Sequence, residues 1–198
     1  MARAFPVALA ALLLAACAPA DTGRAEAAPG ATPIADFRPG PAAFARRPTD
    51  SDSATVAAAV YGSPVPGDVA LAARVDGAFT MADAAQTLYL LVREGPASGP
   101  RPARSLLAVF EGGALVAQFV PPSLSYQALA GVVDANADGI DDVIAVAQSY
   151  QMGQTSARAT LLTLAGGQRR TLEDLGVVFE DSCDAPLAEG AVRAAVLA

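Results

Sequence analysis

The sequence predicts a mainly β fold: a single antiparallel β domain, sandwich or open barrel, with one short N-terminal helix. Three features carry that expectation. Several short segments alternate apolar and polar residues with the period of two that a half-buried strand requires. Turns rich in Gly and Pro separate them at short intervals, and almost no helical pattern intervenes. The chain has 198 residues, 53% of them apolar, which is enough for one core of ordinary size.

The domain is expected over residues 50–198. Its first element is Asp52 to Tyr61 (DSATVAAAVY), a short helix capped by Asp52 or Ser53 and stopped by Gly62, with Pro64 just beyond. Strands follow. Val69, Leu71, Ala73 and Val75 alternate with Ala70, Ala72, Arg74 and Asp76, and Leu88, Leu90 and Val92 repeat the pattern. A polar loop rich in Pro and Gly runs from Gly95 to Arg104, before a strand at Leu106 to Phe110. Glu111-Gly112-Gly113-Ala114 then supplies turn residues, and Leu115, Ala117 and Phe119 alternate in a return strand that Pro121-Pro122 ends. Further strands are expected at 128–133, 143–148, 159–164 and 175–179, and the tail at 188–197 reads as strand or helix. No internal repeat supports a propeller.

Ahead of the domain lie two segments of different character. Residues 1–16 carry one early charge, Arg3, and then an apolar run from Phe5 to Ala16, too short to span a bilayer but suited to a signal peptide. The run ends in Leu14-Ala15-Ala16-Cys17, which resembles the lipobox of bacterial lipoproteins. The resemblance implies that Cys17 is lipidated and becomes the new N-terminus, so that the membrane is a partner through a lipid anchor. Ala18, rather than Asp, follows the Cys, which by the same resemblance favours the outer over the inner membrane of the cell envelope. Residues 17–49 form the lipidated Cys and an Ala- and Pro-rich tether expected to be disordered. As a flexible coil it would reach roughly 30 Å. The alternative is that this segment packs on the domain, through Phe37 or Phe44.

Composition removes several functions. The net charge of -7 gives the chain no means of approaching nucleic acid phosphates. There is no His and no Lys, which excludes Ser-His-Asp, Cys-His and Schiff-base catalysis. With Cys17 lipidated, Cys183 is the one thiol left, and no intrachain disulfide is available. Its neighbours Glu180, Asp181 and Asp184 disfavour the thiolate that a nucleophile needs.

The strongest chemical signal lies between two apolar runs, in Asp134-Ala135-Asn136-Ala137-Asp138-Gly139-Ile140-Asp141-Asp142. Oxygen-bearing side chains at every second position can turn toward one centre, while Gly139 takes the positive φ that lets the chain fold round it. Asp134, Asn136 and Asp138 are the candidate side-chain ligands, Ile140 contributes its main-chain oxygen, and Asp142 closes the site; Asp141 is expected to face outward. A set of hard oxygens suits Ca2+ best, and transition metals would want imidazole or thiolate. An EF-hand needs a bidentate Glu at position twelve, where this chain has Ala145. The loop resembles instead the calcium loop of FG-GAP repeats, the integrin α type, in which the loop joins two adjacent strands. The Phe-Gly and Gly-Ala-Pro that name that repeat are absent, and Ala137 stands where the family often has Gly. The resemblance therefore extends to the ion ligands alone.

These features lead to an expected non-enzymatic lipoprotein with a structural calcium site, which binds an unidentified protein or polysaccharide partner or serves in the envelope's architecture. The alternative is a carboxylate-based glycoside hydrolase, drawing on Glu94, Glu111, Glu173, Glu180 or Asp181.

Overall fold

A computed structural model describes residues 35–37, 50–63, 66–93, 104–121, 125–182, 192–194 and 196–197. The leader, Cys17, Phe44, Glu94, the loop at 95–103, Cys183 and Asp184 lie outside the described residues. Helix α1 spans Asp50–Tyr61. It starts earlier than expected, so Asp52 and Ser53 lie within its first turn instead of capping it, and Asp52 accepts a 3.0 Å bond from Arg74. The stop is as expected: Gly62, at φ 76°, donates its N–H to the Ala58 carbonyl at 2.9 Å and closes the last turn.

Apart from a single 3-10 turn at Ala165–Gly167, the remaining elements are strands, all paired antiparallel. β1 (Ala35–Asp36) precedes the helix, and β2 (Val69–Gly77), β3 (Gln86–Arg93), β4 (Arg104–Glu111) and β5 (Ala114–Phe119) form a four-stranded sheet in sequence order. β6 (Tyr126–Val133), β7 (Asp142–Gln151), β8 (Gln154–Thr163), β9 (Arg170–Asp181) and β10 (Val192–Ala194) form a five-stranded sheet, and β11 (Val196–Leu197) pairs with β1. The 188–197 tail is thus strand where it is described. Two hairpins close through two-residue turns with positive φ at both positions, Gly112-Gly113 (57° and 84°) and Met152-Gly153 (50° and 84°), the geometry that matches strand twist.

The two sheets pack face to face as a sandwich, and no hydrogen-bonded ladder among the described strands closes them into a barrel. Leu88 and Leu90 of β3, Leu107 and Val109 of β4, Leu129 of β6, Val143 and Ala145 of β7 and Leu162 of β8 fill the space between them. Each outer face is partly covered too. Val56 and Ala57 of α1 lie on Tyr89, Leu91, Leu106, Ala108 and Phe110 of the four-stranded sheet. Ala35 and Phe37 lie on Ile144, Val146, Ala157, Ala159 and Val178 of the five-stranded one.

Double coverage explains two departures from the simple alternation. In β2, Leu71 pairs with Leu91 and Ala73 with Leu90, so Ala72 is an extra residue; Val69 and Leu71 face the helix while Ala73 and Val75 face the inner core. In β5 the extra residue is Val116, which sends Leu115 to the helix side and Ala117 and Phe119 inward. A bulge exchanges the faces of a strand. The tether expectation also needs correction at 35–37, where Phe37 has no exposed surface and belongs to the fold. Burying such a ring contributes roughly 1.5–3 kcal/mol, and the pairing of β1 with β11 adds to it against the entropy of ordering the segment.

Candidate metal centre

Residues 134–141 connect β6 to β7 within one hairpin of the five-stranded sheet, where Val133 pairs with Asp142. Asp134 to Gly139 are exposed, Ile140 and Asp141 half-buried, and Asp142 buried. The short polar side chains wrap the backbone around themselves. Asp134 accepts the N–H of Asp138 on Oδ1 at 3.1 Å and that of Gly139 on Oδ2 at 2.9 Å. Asn136 Oδ1 accepts the same Asp138 N–H at 3.1 Å, and Asp138 Oδ1 accepts from the Ile140 N–H at 2.9 Å. The carboxylate and amide oxygens each keep lone-pair capacity beyond these bonds. One side-chain pair is bonded within the loop, Asn136 Nδ2 to Asp138 Oδ2 at 2.9 Å.

The curl requires two positive φ angles. Gly139 at 79° is suited to this, and Ala137 at 57° is not, because an L residue in that region costs about 1–2 kcal/mol. A Cβ at Gly139 would also lie 3.3 Å from Ala82 Cβ.

Asp142 is the unusual member of the set. Its side chain has no exposed surface, Oδ2 accepts from the Ala135 N–H at 3.1 Å, and Oδ1 is buried without a hydrogen-bond partner. Burial pushes its carboxyl above the usual carboxylate range; the Ala135 N–H and the buried Thr163 hydroxyl oppose this, and the charges of Asp138 and Asp134 add to it. A buried carboxylate oxygen left without a donor, beneath two further carboxylates, is electrostatically incomplete and would be completed by a cation. The donors are all oxygen, matching the preference of calcium over transition metals. Among the described residues no three Asp, Glu, Cys or His side chains converge closely enough to hold a metal by themselves.

Asp141 does not face outward. Its N–H donates to the Ala78 carbonyl at 2.7 Å and its Oδ2 accepts the Ala78 N–H at 2.7 Å, so the loop is bonded to the β2–β3 connection of the opposite sheet. Gln86 organises that connection. Its Oε1 accepts the N–H groups of Phe79 (3.0 Å) and Thr80 (2.9 Å), and its Nε2 donates to Thr80 Oγ1 (2.7 Å) and Glu111 Oε2 (2.9 Å). A sequence signal for Gln86 existed: it stands two residues before Leu88 in the inward phase of β3, a polar residue on an apolar face. No comparable signal marked Asp141, since Asp at a loop's end is ordinarily solvated.

The acids considered for hydrolysis are dispersed. Glu111 ends β4 and bonds Gln86, Glu173 lies in β9 of the other sheet opposite Leu161, and Glu180 accepts a short bond from Gln154 at the far end of β9 beside Asp181. No helix among the described residues is long and apolar enough to cross a membrane. Comparison of the chain with protein-family models, with curated proteins and with solved structures finds no match.

Proposed function

We propose that this chain is an exported, lipid-anchored β-sandwich protein in which calcium, held by Asp134, Asn136, Asp138, the Ile140 carbonyl and Asp142, serves a structural purpose. One observation carries the calcium part: Asp142 Oδ1 is buried and unpartnered where β7 leaves a loop of exposed carboxylates. The cation offsets repulsion between the three carboxylates and supplies the missing partner of the buried oxygen. Binding to the folded form alone then stabilises the domain by mass action. Modules outside cells do this with dissociation constants of about 10⁻⁴–10⁻³ M.

The anchor rests on the Leu14-Ala15-Ala16-Cys17 sequence. With a diacylglyceryl group and a further acyl chain on Cys17, attachment is stable, at about 0.8 kcal/mol per buried CH₂. The domain is then a tethered binding or architectural module of the envelope, with the outer membrane favoured, and its partner is a protein or a polysaccharide. Two measurements test the proposal. Calcium titrated into the purified protein should release or absorb heat and raise the melting temperature, and chelator should reverse the rise; neither heat nor shift would end the calcium reading. Cys17→Ser should move the protein from the membrane fraction to the soluble one, and continued membrane association would end the lipoprotein reading.

A further inference from the structure

The cation loop is docked on the opposite sheet as well as held by its own hairpin. Asp141 is its docking residue, and the two bonds to Ala78, both 2.7 Å, fix main chain and side chain together. The approach is close enough to exclude a side chain at the neighbouring position. A Cβ on Gly77 would lie 2.6 Å from Asp141 Oδ2 and 2.9 Å from Phe79 Cζ, although Gly77 itself needs no positive φ. A second contact brings Gly139 against Ala82.

The platform that receives the loop is itself fixed. Phe79 has no exposed surface, Gln86 clamps the Phe79 and Thr80 amides, and the Thr80 carbonyl accepts the Gly166 N–H at 2.9 Å from the β8–β9 connection. Asp141 immediately precedes Asp142, whose Oδ1 is the buried unpartnered oxygen. Whatever holds Asp141 therefore sets the direction in which Asp142 enters the site.

From this we infer that Asp141 is a positioning residue for the calcium loop, coupling ion binding at Asp134–Asp142 to the closure of the two sheets at this end of the sandwich. The inference rests on the calcium reading given above. Coupling is reciprocal: docking that improves affinity by some factor is itself strengthened by calcium by the same factor. A factor in the usual range, roughly 5–150-fold, makes the ion a latch between sheets rather than a weight on one hairpin.

The test uses the full-length protein, calcium chloride and three variants that leave every proposed ligand in place. Gly77→Ala removes no charge and no ligand, yet should lower calcium affinity about fivefold or more by displacing Asp141. Asp141→Asn and Asp141→Ala lose the same charge, but Asn keeps an oxygen that can accept the Ala78 N–H and Ala does not, so Asn should retain clearly more affinity than Ala. In the wild type, calcium should slow hydrogen exchange at the Ala78 amide, which Asp141 accepts, more than at the Phe79 and Thr80 amides, which Gln86 accepts. If Gly77→Ala does not fold, the Asn and Ala pair decides. Calcium binding that is equal in wild type and variants, with Ala78 exchange unchanged by the ion, overturns the coupling and leaves the calcium site standing. Absence of calcium binding in the wild type overturns both.

Discussion

Replacing Asp142 by Asn separates what the buried carboxylate costs from what it gains. The amide keeps an oxygen for the Ala135 N–H and replaces the orphaned Oδ1 by a neutral NH₂ group. A buried acceptor without a partner costs about 1–3 kcal/mol, so in chelator Asp142→Asn should match or exceed wild type by up to that amount. In calcium the order should invert. At about 10 mM ion and a dissociation constant of about 10⁻⁴–10⁻³ M, mass action gives wild type roughly 1.4–2.7 kcal/mol, or about 3–11 °C in melting temperature for a domain of this size. The variant should gain less than a third of that. The chelated proteins also differ in pH dependence: with its folded pKa raised, Asp142 contributes stability that is complete below its unfolded pKa and is lost as pH rises through the folded value. The advantage of the Asn variant should therefore grow with pH. Thermal unfolding by circular dichroism, in chelator and in calcium at several pH values, reads all of this. Equal calcium shifts in the two proteins, or an Asn variant that is the less stable in chelator, would refute the reasoning.

Two other substitutions probe the same framework. Ala137→Gly relieves a φ of 57° and should raise stability in chelator by up to about 1 kcal/mol, after the extra backbone entropy of Gly is subtracted; a lower denaturation midpoint would show that the Ala geometry is unstrained. Phe37→Ala empties a fully buried position on the outer face of the five-stranded sheet and should cost about 3–5 kcal/mol, read by urea unfolding. A loss below about 0.5 kcal/mol would place Phe37 in the tether after all.

Much of the architecture was legible because alternation and turn chemistry are local. Leu88, Leu90 and Val92 report the inward phase of β3 directly, and Gly112-Gly113 reports a hairpin turn. The bulges at Ala72 and Val116 were hidden because both faces of their sheet are covered, so apolar residues occur in either phase and a change of face leaves no trace in the pattern. Phe37 was ambiguous for a related reason: one ring in a Pro-rich stretch has no periodicity, and its burial depends on a sheet face more than a hundred residues later in the chain. At the loop, spacing selected Asp134, Asn136, Asp138 and Asp142 as a set, but it carried no information on depth. Only the fold places Asp142 under the others, and only the opposite sheet gives Asp141 a partner.

The helix on one sheet and the strap of residues 35–37 on the other have a consequence for recognition. A sandwich with a bare outer face can offer a broad flat surface to another protein, whereas here each outer face already carries a piece of this chain. The large apolar side chains left in solvent are Met81 in the β2–β3 connection, Val116 and Val120 along and just past the β5 edge, Tyr150 and Met152 at the tip of the β7–β8 hairpin, and Leu172 and Val177 within β9, among the described residues. A second molecule meeting the described residues would find these side chains divided among an edge, a hairpin tip and one strand of the five-stranded sheet. Were the chain anchored at a membrane as proposed, density in two dimensions would substitute for the strength of any single contact.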